Sequence, residues 1–224
     1  DIGKMFIPPA ILQKTSDLTD EEFEIMKKHT TLGYKMCMDD LKLRPYSAGP
    51  IYHHEALNGS GYPKGLTGKD IPLEGQIIRV ADEFDAIASK RQYKSHVGIS
   101  ETLKMLVNDA NSGKINKKAL KCLFKVIIDD TNYEISGIFD YTKHLSSQIK
   151  RLEEIDKFNE KMQNAKSENK KEYFRAGMKY LFEDGENFEN YKNVLEEYKT
   201  ALAKRKEKIN ELFNEIKEIK KLRV

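Results

Sequence analysis

Apolar residues in this chain recur at steps of three and four, and no stretch alternates at the two-residue period of a strand. That periodicity confines the fold to packed helices. Thr19-Asp20-Glu21-Glu22 has the form of a capping box, in which Thr19 caps and Glu22 reaches back to it. The helix it opens is predicted to run to about Asp40, with Phe23, Met26, Tyr34, Cys37 and Leu41 on or beside its apolar stripe. Pro45 stops the chain, and a second helix is expected from about Ser47 to Leu57. Gly59, Gly61, Gly65 and Gly68 then crowd a turn-rich loop that reaches Asp70. Ile71-Pro72-Leu73-Glu74 opens a third helix, whose buried face is predicted as Ile77, Val80, Ala81, Phe84, Ile87 and Ala88. Helices near 100–109 and 116–129 complete an all-α unit assigned to residues 1–140.

Residues 141–224 have another character: no proline, and charges of both signs throughout. Leu195, Tyr198, Leu202, Arg205, Ile209, Leu212, Ile216 and Ile219 fall at alternating steps of three and four, and only Arg205 interrupts that apolar seam. Such a seam predicts either a coiled coil, joining two copies into a homodimer through the C-terminal helix, or a long helix folded back on its own domain. Hydrophobic residues make up 39% and charged residues 33% of the chain, a balance that fits a globule carrying a solvated helical extension. A net charge of +3 is too slight to argue for nucleic acid, so neither DNA nor RNA is expected as a partner. No apolar run approaches the roughly 18–20 residues that span a bilayer. Cys37 and Cys122 lie far apart on apolar helical faces without metal-ligand spacing, which predicts buried thiols in a reducing cytoplasm. The chain opens on Asp1 with no signal peptide, and reads as a piece cut from something longer.

Chemistry-bearing residues gather in the first half. Three of the five histidines are His29 and the adjacent His53-His54, with Asp1 before them and Asp82 after. Imidazole and carboxylate oxygen suit iron, manganese, zinc and similar divalent ions. Taken singly each has a plainer reading: His29 as a core or surface residue, His53 and His54 diverging by about 100° on a helix so that one points in and one out, Asp82 as solvated. His53-His54-Glu55 lacks the second His that a zinc-protease helix needs. In order, however, a carboxylate, a His, a His pair and an Asp on successive helices can converge inside a bundle. Two ions about 3.5–4 Å apart there would share a hydroxide and clamp a phosphate. Lys4, one turn from Asp1, is placed to balance phosphate charge or protonate a leaving oxygen, and Asp85 to support Asp82 from behind. Tyr62 in the loop after the His pair offers a ring and a hydroxyl. Arg91 and Lys94 fit an ordinary basic helix end or a phosphate clamp.

The succession Asp1-Ile2-Gly3-Lys4, Ile7-Pro8, Leu18-Thr19, Glu22, His29, His53-His54-Glu55, Gly59-Ser60-Gly61-Tyr62-Pro63, Gly65-Leu66, Gly68, Ile71-Pro72, Val80-Ala81-Asp82, Phe84-Asp85-Ala86 and Arg91-Gln92-Tyr93 resembles the HD-GYP family, densely to about residue 95 and loosely to about 135. The resemblance implies an HD-superfamily helical bundle with two or three divalent metal ions, iron or manganese, and hydrolysis of cyclic di-GMP to pGpG or GMP by a metal-bridged hydroxide. It implies that Asp1 bridges the metals, that His29, His53, His54 and Asp82 ligate them, that Lys4 assists at the phosphate, and that Tyr62, Arg91 and Lys94 contact the dinucleotide. Two departures stand out. The family's motif places a His immediately before Asp1, so this chain by itself is expected to be weakly active or inactive, and Gln92 stands where many members have proline. A catalytically inactive sensor of cyclic dinucleotides is the alternative, against which the retained ligand set argues.

Overall fold

The computed structural model describes residues 1–89, 97–182 and 190–224. Among them there is no strand, only an isolated bridge between Asn58 and Thr67, and the fold is all-α. The helices are α1 (Pro9–Leu12), α2 (Asp20–Asp39), α3 (Ala48–Tyr52), α4 (Leu73–Ala88), α5 (Ile99–Asn111), α6 (Lys117–Gln163), α7 (Glu168–Leu181) and α8 (Tyr191–Lys221). No described helix is long and apolar enough to cross a membrane.

The chain divides into two compact units, one of Asp1–Ile128 with Lys217–Val224 and one of Asp129–Ile216. In the first, α2 begins as its sequence dictates. The Thr19 hydroxyl accepts from Glu22 N at 3.3 Å and Thr19 N donates to the Glu22 carboxylate at 2.8 Å. Its buried stripe differs from the one expected, being His29, Thr30, Gly33 and Cys37, while Phe23 and Leu41 are exposed. Gly33 stands on that face because neighbours press directly on it: a Cβ there would meet Gly3 N and Pro50 Cβ, each at 3.1 Å.

α3 is shorter than the predicted Ser47–Leu57 helix. Leu57 N donates to the Lys114 carbonyl at 2.9 Å, so a distant acceptor takes the proton that a continuing helix would have kept. On α4, Val80 is buried and Phe84 and Ile87 pack on the core formed by Leu103, Leu106, Ala110, Ile115 and Leu120. Ile77 and Ala81 do not join them. They remain exposed and, with Leu73, Cys122 and Val126, line an open apolar groove of about 420 Å³. Cys37 is buried as expected, whereas Cys122 is exposed because it lines that groove.

In the second unit α6 and α8 run antiparallel. Asn159 and Asp156 near the end of α6 both meet the Tyr191 hydroxyl at the start of α8, and Phe139 packs on Phe213 at 6.4 Å. The seam residues Leu195, Ile209, Leu212 and Ile216 are buried within the one chain, as in a helix folded back. Arg205 sits in the seam with its guanidinium 4.4 Å from the Tyr141 ring centre, so the aromatic face satisfies the charge that broke the apolar pattern.

Candidate metal centre

Gly3 explains where Asp1 lands. The turn Ile2–Phe6 lies so close on α2 that a Cβ at Gly3 would be 1.9 Å from the His29 carbonyl oxygen and 2.6 Å from Gly33 N. Only a residue without a side chain permits that approach. Lys4 N donates to the Asp1 carbonyl at 2.9 Å, and Lys4 Nζ pairs with Asp1 Oδ2 at 2.6 Å. The turn thus delivers Asp1 Oδ1 to 3.6 Å from the Nε2 atoms of both His29 and His53.

The two imidazoles are oriented from behind. His29, 2% exposed, donates from Nδ1 to the Met26 carbonyl at 2.6 Å. His53, 3% exposed, points Nδ1 at the carbonyls of Gly49 and Pro50 at 3.0 and 2.9 Å. Carbonyls only accept, so Nδ1 carries the proton in each ring and Nε2 presents a lone pair. Those two Nε2 atoms face one another at 3.2 Å. Two bare acceptors at that distance repel unless a cation lies between them.

His54 completes the set. The expectation of one histidine in and one out assumed a continuing helix, but α3 ends at Tyr52 and both rings turn to the same place, with centroids 4.1 Å apart and 5.3 and 5.0 Å from that of His29. Asp1, His29, His53 and His54 each offer a ligand atom, all within 4.8 Å of one another. Burial drives the His29 imidazole down to about 4 and that of His54 down to about 2, and lowers His53 too. All three are therefore neutral near pH 7, the form that coordinates a metal. Three neutral imidazoles, two of them buried, beside an exposed carboxylate fit a divalent cation.

Asp82, on α4, is half-buried and acts on the same place: it opposes the burial that lowers His53, and adds to the burial that pushes the Tyr62 hydroxyl up to about 12. None of its atoms joins the 4.8 Å group. Asp85 is exposed and accepts from the Ser89 hydroxyl at 2.7 Å. Arg91, Lys94 and Gln92 lie outside the described residues. The sequence reading passed over Arg79, which pairs with Glu83 at 2.5 Å and adds to the lowering of His54.

The loop after the histidines is held by Glu55, which the sequence reading placed in the His53-His54-Glu55 run without giving it a role. Its carboxylate is 1% exposed and accepts from Lys64 N at 2.7 Å and Leu66 N at 2.8 Å, one bond on each oxygen. The available signal was an acid just upstream of a glycine-rich turn whose amides need acceptors. With the loop fixed, Tyr62 N donates to the His54 carbonyl at 3.1 Å and the Tyr62 ring stacks on His54 at 4.6 Å. Gly61 is pressed into the same corner, where a Cβ would stand 2.2 Å from Ala56 N.

Comparison with known proteins adds an independent line. Residues 1–118 match the family described as HD domain. A cyclic di-GMP phosphodiesterase of Thermotoga maritima is 44% identical over 119 residues, covering 51% of this chain and 31% of that protein. The cyclic di-GMP phosphodiesterase response regulator RpfG of Xanthomonas campestris is 44% identical over 97 residues, 42% of this chain and 25% of its own length. A 3'3'-cGAMP-specific phosphodiesterase of Vibrio cholerae is 43% identical over 96 residues, 42% of this chain and 18% of its own. The chain spans about a third or less of each of these relatives.

Proposed function

The chain belongs to the HD domain family, in its HD-GYP branch, and from that membership we propose that it is a metal-dependent phosphodiesterase acting on cyclic di-GMP. The observation that carries the reading is the opposed pair of Nε2 lone pairs on His29 and His53, 3.2 Å apart beside Asp1 and His54. An arrangement that repels itself when empty of charge is suited to a cation. Two or three divalent ions, iron or manganese, supply Lewis acidity and a water of lowered pKa when bound there. Asp1, His29, His53 and His54 hold them, with Asp82 contributing from α4.

Lys4, kept at the cluster by its ion pair with Asp1, balances phosphate charge and delivers a proton to the departing ribose oxygen. Tyr62, Arg91 and Lys94 contact the dinucleotide, and Asp85 steadies the end of α4 through Ser89. Residues 1–140 carry this chemistry and 141–224 form an appended helical part. The products are pGpG and then GMP.

The test is chromatography of cyclic di-GMP incubated with manganese- or iron-loaded protein, beside the His53→Ala and Asp82→Asn variants. Slow conversion to linear pGpG and GMP, lost in both variants together with bound metal, is the expected result, and robust turnover overturns the expectation of weak activity. Stoichiometric metal with cyclic di-GMP neither bound nor converted refutes the hydrolase reading.

A further inference from the structure

Phe23 lies on α2 six residues before His29, where the helical pattern predicted a buried ring. Its side chain instead is 42% exposed and belongs to neither hydrophobic cluster of the described residues. The ring is nonetheless held firmly. It meets Tyr62 edge-on with centroids 5.9 Å apart, and Tyr62 is itself stacked on His54 at 4.6 Å. The Lys27 ammonium stands 4.9 Å from the Phe23 centroid and 5.8 Å from that of Tyr62, and Glu24 anchors it at 2.5 Å. A solvent-facing aromatic, braced by a second ring and a cation, thus begins one residue beyond the metal-ligand candidates.

Taking the phosphodiesterase reading as its basis, we infer that Phe23 is the shelf on which a purine base of the substrate stacks while the phosphate lies at the Asp1–His29–His53–His54 cluster. Every base presents a π-face, so a partly exposed aromatic platform recognises a base without reading its edge. Lys27 polarises the ring from close by and brings positive charge to the rim of the site. Phe23 is a specificity-determining residue here: it selects nucleotides over base-free phosphates, and leaves the choice between guanine and adenine to other contacts.

The experiment compares 5'-GMP with ribose 5-phosphate, which differ by the base alone, as ligands of the manganese-loaded chain in calorimetry. Wild-type protein is expected to bind GMP more tightly than ribose 5-phosphate. Phe23→Ala loses roughly 5- to 150-fold in GMP affinity, the range of one base–aromatic stack, while ribose 5-phosphate affinity, bound manganese and thermal midpoint stay the same. Phe23→Trp retains the preference. The shelf is overturned by a wild-type chain with no preference, by an alanine variant that binds GMP unchanged, or by one that loses both ligands equally. Cyclic di-GMP is read separately: absence of both its binding and its turnover, alongside an intact GMP preference, refutes the hydrolase and not the shelf.

Discussion

Replacing Glu55 with Gln keeps the side chain's size and removes one acceptor. Glu55 accepts Lys64 N on one oxygen and Leu66 N on the other, at 2.7 and 2.8 Å, and is 1% exposed. A glutamine can accept only one of these, and its own N–H₂ then confronts the other backbone N–H. The loss comprises one bond to an ionised acceptor, about 1.5–3 kcal/mol, and the cost of a buried donor left unpaired, about 1–3 kcal/mol. A net destabilisation of about 3 kcal/mol follows, a large share of the ~5–15 kcal/mol that typically holds a domain together. Urea unfolding followed by circular dichroism measures it, with the slope expected to stay constant and the midpoint to fall. Hydrogen exchange locates it: the Lys64 and Leu66 amides lose protection before the helices do. The reasoning is refuted if Glu55→Gln unfolds within about 0.5 kcal/mol of wild type, or if those two amides stay as protected as before.

Three other perturbations address the centre and the helical hairpin. Gly3→Ala puts a methyl 1.9 Å from the His29 carbonyl, so the turn must lift by more than an ångström and carry Asp1 with it; stability should fall by about 1–3 kcal/mol, and chelator competition should show weaker manganese binding. The buried imidazoles have folded pKa values below that of free histidine, so the stability they confer is present above about pH 6.5 and is lost as pH falls towards the value of about 4 held by His29. The urea midpoint of the metal-free protein should therefore drop between pH 7 and pH 4.5, by at most about 1.4 kcal/mol per pH unit for each ring, and a flat profile contradicts the burial argument. Leu212, 4% exposed in the seam, should cost about 2–5 kcal/mol when cut to Ala. Because the seam packs within one chain, the thermal midpoint should not depend on protein concentration; a midpoint that rises with concentration would favour pairing between copies.

What could be read from the sequence and what could not divide along a physical line. The start of α2 was legible because the capping box closes within four residues, Thr19 to Glu22. The start of α4 at Leu73, after Pro72, was legible for a similar local reason. Helix ends were not. α3 stops at Tyr52 instead of running on to Leu57, whose N–H goes to the carbonyl of Lys114, and no window around residue 57 contains that partner. α6 was expected to end near 129 but runs to Gln163, since Thr131, Thr142 and Asn159 interrupt its apolar face. Asn159 is buried there because Tyr191 arrives to bond it.

The same division governs the centre. Asp1, His29, His53 and His54 were legible through their order along successive helices, and the structure brings those four together. Gly3 and Glu55 serve by what they allow or receive. Gly3 leaves room for the His29 carbonyl, and Glu55 accepts two amides from nine and eleven residues downstream. Neither role is tied to a metal-binding residue type, yet the first lets Asp1 approach His29 and the second holds the loop from which Tyr62 bonds and stacks on His54. A ligand set in a sequence therefore points to a candidate metal site, while its geometry is held by residues whose importance appears only once their distant partners are in view.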